Sequence, residues 1–106
     1  MFRQVGDHQV WCAAGWSWET GDRLVISGPV LLLNAQLVAS SAGASTATLY
    51  EGGSTDGRII AILSAPTSEM SPPFPGAPIF CERGIYLDAG ANASGVFLAW
   101  DHLKSP

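Results

Sequence analysis

The stretch that decides the fold is Ala44-Ser-Thr-Ala-Thr-Leu-Tyr-Glu-Gly-Gly-Ser-Thr-Asp-Gly-Arg-Ile-Ile-Ala-Ile-Leu63. Its two arms, 44–50 and 58–63, carry the β-branched and aromatic side chains that suit a pleated surface. Between them, Glu51-Gly-Gly-Ser-Thr-Asp-Gly57 supplies the turn chemistry of a hairpin loop. Nothing around it resembles a helix cap. Working back to Leu31, the same grammar holds, with apolar runs broken by glycine turns. The reading is an all-β chain folded as an antiparallel β-sandwich.

Eight short strands follow from the punctuation: His8–Ala14, Arg23–Ser27, Val30–Ser40, Ser45–Glu51, Arg58–Ser64, Ile79–Glu82, Ile85–Ala89 and Gly95–Asp101. Turn residues separate them at Glu19-Thr-Gly-Asp22, Ser27-Gly-Pro29, Ser41-Ala-Gly43, Arg83-Gly84 and Gly90-Ala-Asn-Ala-Ser-Gly95. About eight strands at this spacing suggest a jelly-roll-like sandwich. Alternation assigns the faces. Leu33, Ala35, Leu37 and Ala39 are expected on the buried side of their strand, with Asn34, Gln36 and Ser40 opposite. Ile85, Leu87 and Ala89 are expected inward, Tyr86 and Asp88 outward. Val30–Leu33, Arg58–Leu63 and Gly95–Trp100 are apolar on both faces, which calls for cover on the outer side.

Pro66–Pro78 holds five of the seven prolines. Such a segment makes neither helix nor central strand. It is expected to run extended over the surface and cross between sheets. Pro72 and Pro75 have the spacing of a proline-rich ligand, but strands on both sides favour a stiff structural crossover.

The chain has 106 residues and reads as one domain, with 1–27 a Trp-rich arm or first strands and 28–106 the sandwich body. Charged residues make up 13 % and hydrophobic ones 47 %, with a mean hydropathy of +0.22. An average soluble domain carries about 25 % charge. A small domain has too much surface to hide this much apolar material, so a share of it is expected at a subunit interface. The net charge is −4, and the five bases Arg3, Arg23, Arg58, Arg83 and Lys104 are scattered singly. With no basic stripe, neither nucleic acid nor a membrane surface is an expected partner. No secretory leader is read at Met1–Asp7, and apolar runs such as Val30–Leu33, none longer than five residues, fall far short of a bilayer span. Synthesis in a cytoplasm is the expectation.

Candidate chemistry is thin. His8 and His102 lack the partner spacing of a zinc site, and a site joining them to Cys12 requires the termini to meet. Cys12 and Cys81 are read as buried free thiols, with a disulfide between them left open. The glycine-rich turn lacks the Lys-Ser/Thr of a phosphate loop and the ligand ladder of an EF-hand. Glu51 and Asp56 there leave room only for a weak surface cation. Glu19, Asp22, Asp88 and Asp101 show no spacing that marks a catalytic pair. Gly15-Trp-Ser-Trp18 lacks the closing glycine of a nucleophile elbow. Asn92-Ala-Ser94 matches a glycosylation acceptor only by accident in the absence of a leader. No enzyme, cofactor or metal is expected.

The tryptophans are the conspicuous feature. Trp11, Trp16 and Trp18 crowd into eight residues, and Trp100 lies near the other end. Tryptophan is enriched at interfaces and stacks on sugar rings. Core or intersubunit packing is favoured over glycan binding, with the N-terminal segment packing on the last strand around Trp100. The candidate interface residues are Trp11, Trp16, Trp18, Phe74, Phe97 and Trp100.

The order Gly28-Pro-Val-Leu-Leu-Leu33, Ser45-Thr-Ala-Thr-Leu-Tyr-Glu-Gly52 and Gly57-Arg-Ile-Ile-Ala-Ile-Leu63 resembles small virion proteins of tailed bacteriophages. Pro78-Ile-Phe-Cys-Glu-Arg-Gly-Ile-Tyr-Leu-Asp88 and Val96-Phe-Leu-Ala-Trp100 extend the likeness over residues 28–100. The family it resembles is that of jelly-roll or β-sandwich capsid decoration (cement) proteins. The resemblance implies a non-enzymatic homotrimer on the capsid surface that clamps major capsid protein subunits against the pressure of packaged DNA. Residues 1–27 are then a capsid-contacting or subunit-exchanging arm. Two rivals share the grammar: a tail or head-fibre module that binds host glycans through Trp16, Trp18 or Tyr86, and a host-encoded lectin-like or cytokine-like sandwich.

Overall fold

The computed structural model describes residues 2–5, 8–72 and 78–103, with side chains described over 15–72 and 78–102. The described residues form nine strands: β1 (Phe2–Val5), β2 (His8–Glu19), β3 (Arg23–Ile26), β4 (Val30–Ala39), β5 (Ser45–Glu51), β6 (Ile59–Ala65), β7 (Ile79–Cys81), β8 (Ile85–Ala89) and β9 (Ala93–Leu103). They form two sheets ordered β1-β2-β9-β4-β7 and β3-β8-β5-β6, and every pairing is antiparallel. Apart from the hairpins β1–β2 and β5–β6, each connection passes from one sheet to the other. Strands β2 to β9 thereby take the order of a jelly roll, two interleaved Greek keys. The chain is an all-β antiparallel sandwich, with β1 added along the edge of β2.

The stretch 44–63 folds as the β5–β6 hairpin, in register from Ser45↔Ala65 to Tyr50↔Ile59. Its turn is tied to the body by one carboxylate. Glu51 accepts hydrogen bonds from the Arg58 side chain at 3.2 Å and from the Glu82 amide at 2.7 Å. The Gly52 amide donates to the Gly84 carbonyl at 3.1 Å. Gly84 holds a φ of +102° with Ile26 and Gly28 backbone packed against it, a conformation and a clearance that only glycine meets without strain.

Between the sheets lies the core. Val30, Leu32, Leu37, Leu49, Ile85, Leu87, Val96 and Leu98 expose nothing, and burying each is worth about 1.5–3 kcal/mol. Ile85 and Leu87 fall inward as the alternation of β8 requires. Strand β4 departs from its expected pattern. Its pairing with β9 shifts register between Leu32 and Asn34, so Leu33 is a bulge and Val30 and Leu32 join Ala35, Leu37 and Ala39 inside. Leu33 is half-buried rather than a core residue. One extra residue reverses the parity of everything before it.

β1 is a strand beyond the eight expected, β3, β4, β6 and β7 are displaced by one residue at one or both ends, and two strands run well past their expected limits. Strand β2 continues past Ala14 to Glu19, and β9 runs from Ala93 to Leu103. The proline-rich crossover joins β6 in one sheet to β7 in the other, and its leading end is fastened to the edge of β4. Ser71 donates its amide to the Leu37 carbonyl at 2.7 Å, and its hydroxyl accepts the Leu37 amide at 2.8 Å. Met70 forms a bridge with Val38. The middle of the crossover, with Phe74 and Pro75, lies outside the described residues.

Candidate functional site

Residues paired across an antiparallel sheet share a face, so the register writes out the outer face of the β2-β9-β4-β7 sheet row by row. Gly95 and Val38 lie beside Met70. Trp18, Phe97 and Gln36 form the next row, then Trp16, Ala99 and Asn34, then Asp101, Leu31 and Phe80. Trp16 is 70 % exposed, Trp18 47 %, Met70 55 % and Phe80 50 %. The Trp16 and Phe97 rings stack diagonally, with centroids 6.3 Å apart and planes inclined by 30°. The indole of Trp18 lies over Gly95, where an added Cβ would overlap its ring. This face therefore presents an aromatic platform continuing into Leu31 and Phe80, broken by the amides of Asn34 and Gln36. Gln36 already donates to the Ser71 carbonyl at 3.4 Å.

Of the sequence-selected residues, Trp16, Trp18 and Phe97 come together here. Trp100 does not join them. It is 8 % exposed and turned into the core, where its indole lies over Gly15 on the neighbouring strand. The backbone of Trp11 pairs with Phe2 in the β1–β2 hairpin, but its side chain, like Phe74, lies outside the described residues. Sequence reading passes over Met70, Leu31 and Phe80. The signal is there for Leu31 alone, as the outward partner of a two-sided apolar run. Met70 and Phe80 stand in a proline-flanked segment and a three-residue strand, too short for a period to register.

The opposite sheet has a smaller apolar row. Leu24, Tyr86, Tyr50 and Ile59 align across β3, β8, β5 and β6, with Leu24 and Ile59 exposed and the tyrosines half-buried.

Several polar groups of the described residues hold loops, while the buried Ser17 hydroxyl has no hydrogen-bond partner. Glu19 pairs with Arg23 at 3.3 Å, and Asp22 accepts the Ala89 amide at 2.8 Å. Asn92 donates to the Ala44 carbonyl at 3.2 Å. A shallow depression of about 220 Å³ opens among Glu51, Gly53, Asp56 and Arg83, but the Glu51 carboxylate there already serves Arg58 and Glu82. Among the described residues no three His, Cys, Asp or Glu side chains cluster as metal ligands. The backbone register sets His102 opposite Ala13 and Cys12 opposite Leu103, while the side chains of His8 and Cys12 lie outside the described residues. Cys81 is a buried free thiol.

Comparison of the chain with protein-family models, with curated proteins and with solved structures finds no match.

Proposed function

We propose that the chain is a non-enzymatic structural subunit, a capsid decoration protein that works as a homotrimer and stabilises the major capsid shell of a tailed phage. The observation that carries this reading is the aromatic outer face of the β2-β9-β4-β7 sheet. Tryptophans at 70 % and 47 % exposure on a chain with 13 % charged residues are surface made to be covered. With strands about 4.8 Å apart and about 3.3 Å per residue, β2, β9, β4 and β7, of 12, 11, 10 and 3 residues, give a face of roughly 570 Å². A standard interface takes about 800 Å² from each partner. Among the described residues, 8–11 of β2 pair with β1 alone, and a two-stranded ribbon is marginal in water without a neighbour. Both features suit a subunit that leans on copies of itself and on a larger shell. The phage assignment rests on the resemblance over residues 28–100.

Light scattering on the purified chain is the first test, with a closed oligomer expected and a clean monomer of 11.1 kDa at micromolar concentration counting against the reading. Addition to bare phage capsids is the second. Bound protein should raise the capsid melting temperature, and Trp16→Ser with Trp18→Ser should abolish that rise while leaving the β-sheet spectrum intact. Capsids that neither bind the chain nor melt later remove the cement role.

A glycan-binding module is the second reading. It draws on Asn34 and Gln36, whose amides stand in the same rows as Trp16, Ala99, Trp18 and Phe97, an arrangement in which a sugar ring stacks while amides meet its hydroxyls. A glycan array with Trp16→Ala as control separates the two.

A further inference from the structure

The β3-β8-β5-β6 sheet ends on β6, Ile59-Ile-Ala-Ile-Leu-Ser-Ala65. Among the described residues no strand or loop backbone pairs with its outer side. Sheets protect such edges by keeping them short, by charge, by proline or by bulges. The edge strands β3 and β7 are four and three residues long, and β3 carries Arg23. β6 has seven residues and neither charge nor proline. Its single irregularity is a register shift near Ile59, which leaves Ala61–Ala65 regular. Its nearest charge, Arg58, is turned to Glu51 at 3.2 Å. Ile62 is 61 % exposed and Ile59 53 %, so unpaired backbone and uncovered side chains occur on one strand.

We infer that β6 pairs with β6 of a second copy, antiparallel about a two-fold axis near Ile62, joining two four-stranded sheets into one of eight. Charge selects the partner. The chain carries a net charge of −4, so copies repel one another overall, whereas the segment 59–65 carries no charge and meets itself with none. An antiparallel register centred on Ile62 puts Ile62 opposite Ile62 and Ile59 opposite Ala65, which covers the most exposed isoleucine by its own equivalent. Such a contact is isologous: it uses the same edge of both copies and closes. Pairing β6 with β3 of another copy would repeat without end and would set Arg23 against an apolar strand. The contact uses a surface separate from the aromatic face and does not depend on the capsid reading. Combined with a threefold contact elsewhere, it would link one trimer to the next.

Concentration-dependent hydrogen exchange on the full chain tests the pairing. From micromolar to hundreds of micromolar, outward amides of β6 should slow by at least about tenfold, as amides do on entering a ladder. Amides of β3 should not respond. Ile62→Lys, at an exposed position, should abolish that slowing and remove the corresponding sedimenting species. Ile62→Cys should give a disulfide-linked dimer on mild oxidation. Mass spectrometry should place the cross-link between the two copies of the introduced thiol, and this readout stands even where the lysine variant folds poorly. Trp16→Ser with Trp18→Ser should leave the β6 protection unchanged, which separates this contact from the aromatic face. A chain that stays monomeric throughout, that associates with β6 exchange indifferent to concentration, or that grows open-ended polymers through this edge overturns the inference.

Discussion

Cys81 stands opposite Val30 in the β4–β7 ladder and exposes nothing to solvent. Its thiol is pushed up from 9.0 to about 11, by burial first and by the Glu51 carboxylate second, with the Arg58 guanidinium opposing them. Because the thiol is neutral when protonated, a raised folded value means that the folded chain keeps the proton longer than the unfolded one. The contribution to stability is whole below about pH 9 and is lost as pH climbs toward 11. The loss amounts to roughly 2–3 kcal/mol at about 1.4 kcal/mol per unit. Denaturant midpoints across that window should fall in the native chain and fall less in Cys81→Ala. Glu51→Gln should move the Cys81 thiol back toward 9 and Arg58→Gln should move it up, both read from the Cys81 13Cβ shift against pH. A midpoint that does not change between pH 9 and 11 would show that the thiol is not held in its neutral form. That Cys81 is buried was legible from its apolar neighbours Ile79 and Phe80. Its coupling to Glu51 was not, because the hydrogen bond from the Glu82 amide that brings that carboxylate close joins positions 31 apart and leaves no local pattern.

The pairing of β2 with β9 rests on two glycines set under tryptophans. On the inner face a Cβ at Gly15 would meet the Trp100 indole at 2.8 Å, and on the outer face a Cβ at Gly95 would run into Trp18. Each ring covers the backbone of the strand beside it, a cross-strand contact that sets register while it shields the ladder from water. Trp100 is walled in by the core and has nowhere to move, whereas Trp18 has solvent on one side. Gly15→Ala should therefore destabilise by about 1–3 kcal/mol through overpacking, and Gly95→Ala by less. Gly21→Ala, with open space around the new methyl, should stay within about 0.5 kcal/mol. Urea unfolding of the three variants gives the ranking, and equal effects at positions 15 and 21 would contradict the packing account. The same contact explains why the sequence reading ends β2 at Ala14. Glycine after an apolar run reads as a break, and the reason for this one lies far along the chain in Trp100. Trp16 and Trp18, two apart, carry the strand period that would extend β2. The bulge at Leu33 was hidden for a related reason: four consecutive apolar residues give no alternation from which parity could be taken. The hairpin 44–63 was legible because its turn residues and strand residues are all local.

At the scale of the whole molecule, two physical terms act in opposite directions on any contact between copies. The net charge of −4 pushes them apart, and the apolar outer surfaces of both sheets draw them together. Salt changes both in the same sense. At about 0.15 M the Debye length is about 8 Å, which screens the scattered acids from those of a neighbour. Sulfate in addition strengthens apolar burial by exclusion from the protein surface. Association should therefore increase as salt is added, and increase more with sulfate than with chloride. A protein that held a polyanion through lysine and arginine would behave in the opposite way and lose partners with salt. Since anything that binds only the folded state raises its apparent stability, the thermal midpoint should also climb with protein concentration, and climb more steeply in sulfate. Sedimentation velocity across a salt series, paired with melting at two protein concentrations, reads both effects. Ile62→Lys and the Trp16→Ser, Trp18→Ser double variant apportion the salt response between the β6 edge and the aromatic face. Dissociation on adding salt would mean that charge pairs hold the copies together, and the apolar surfaces of the two sheets would then need a different explanation from assembly.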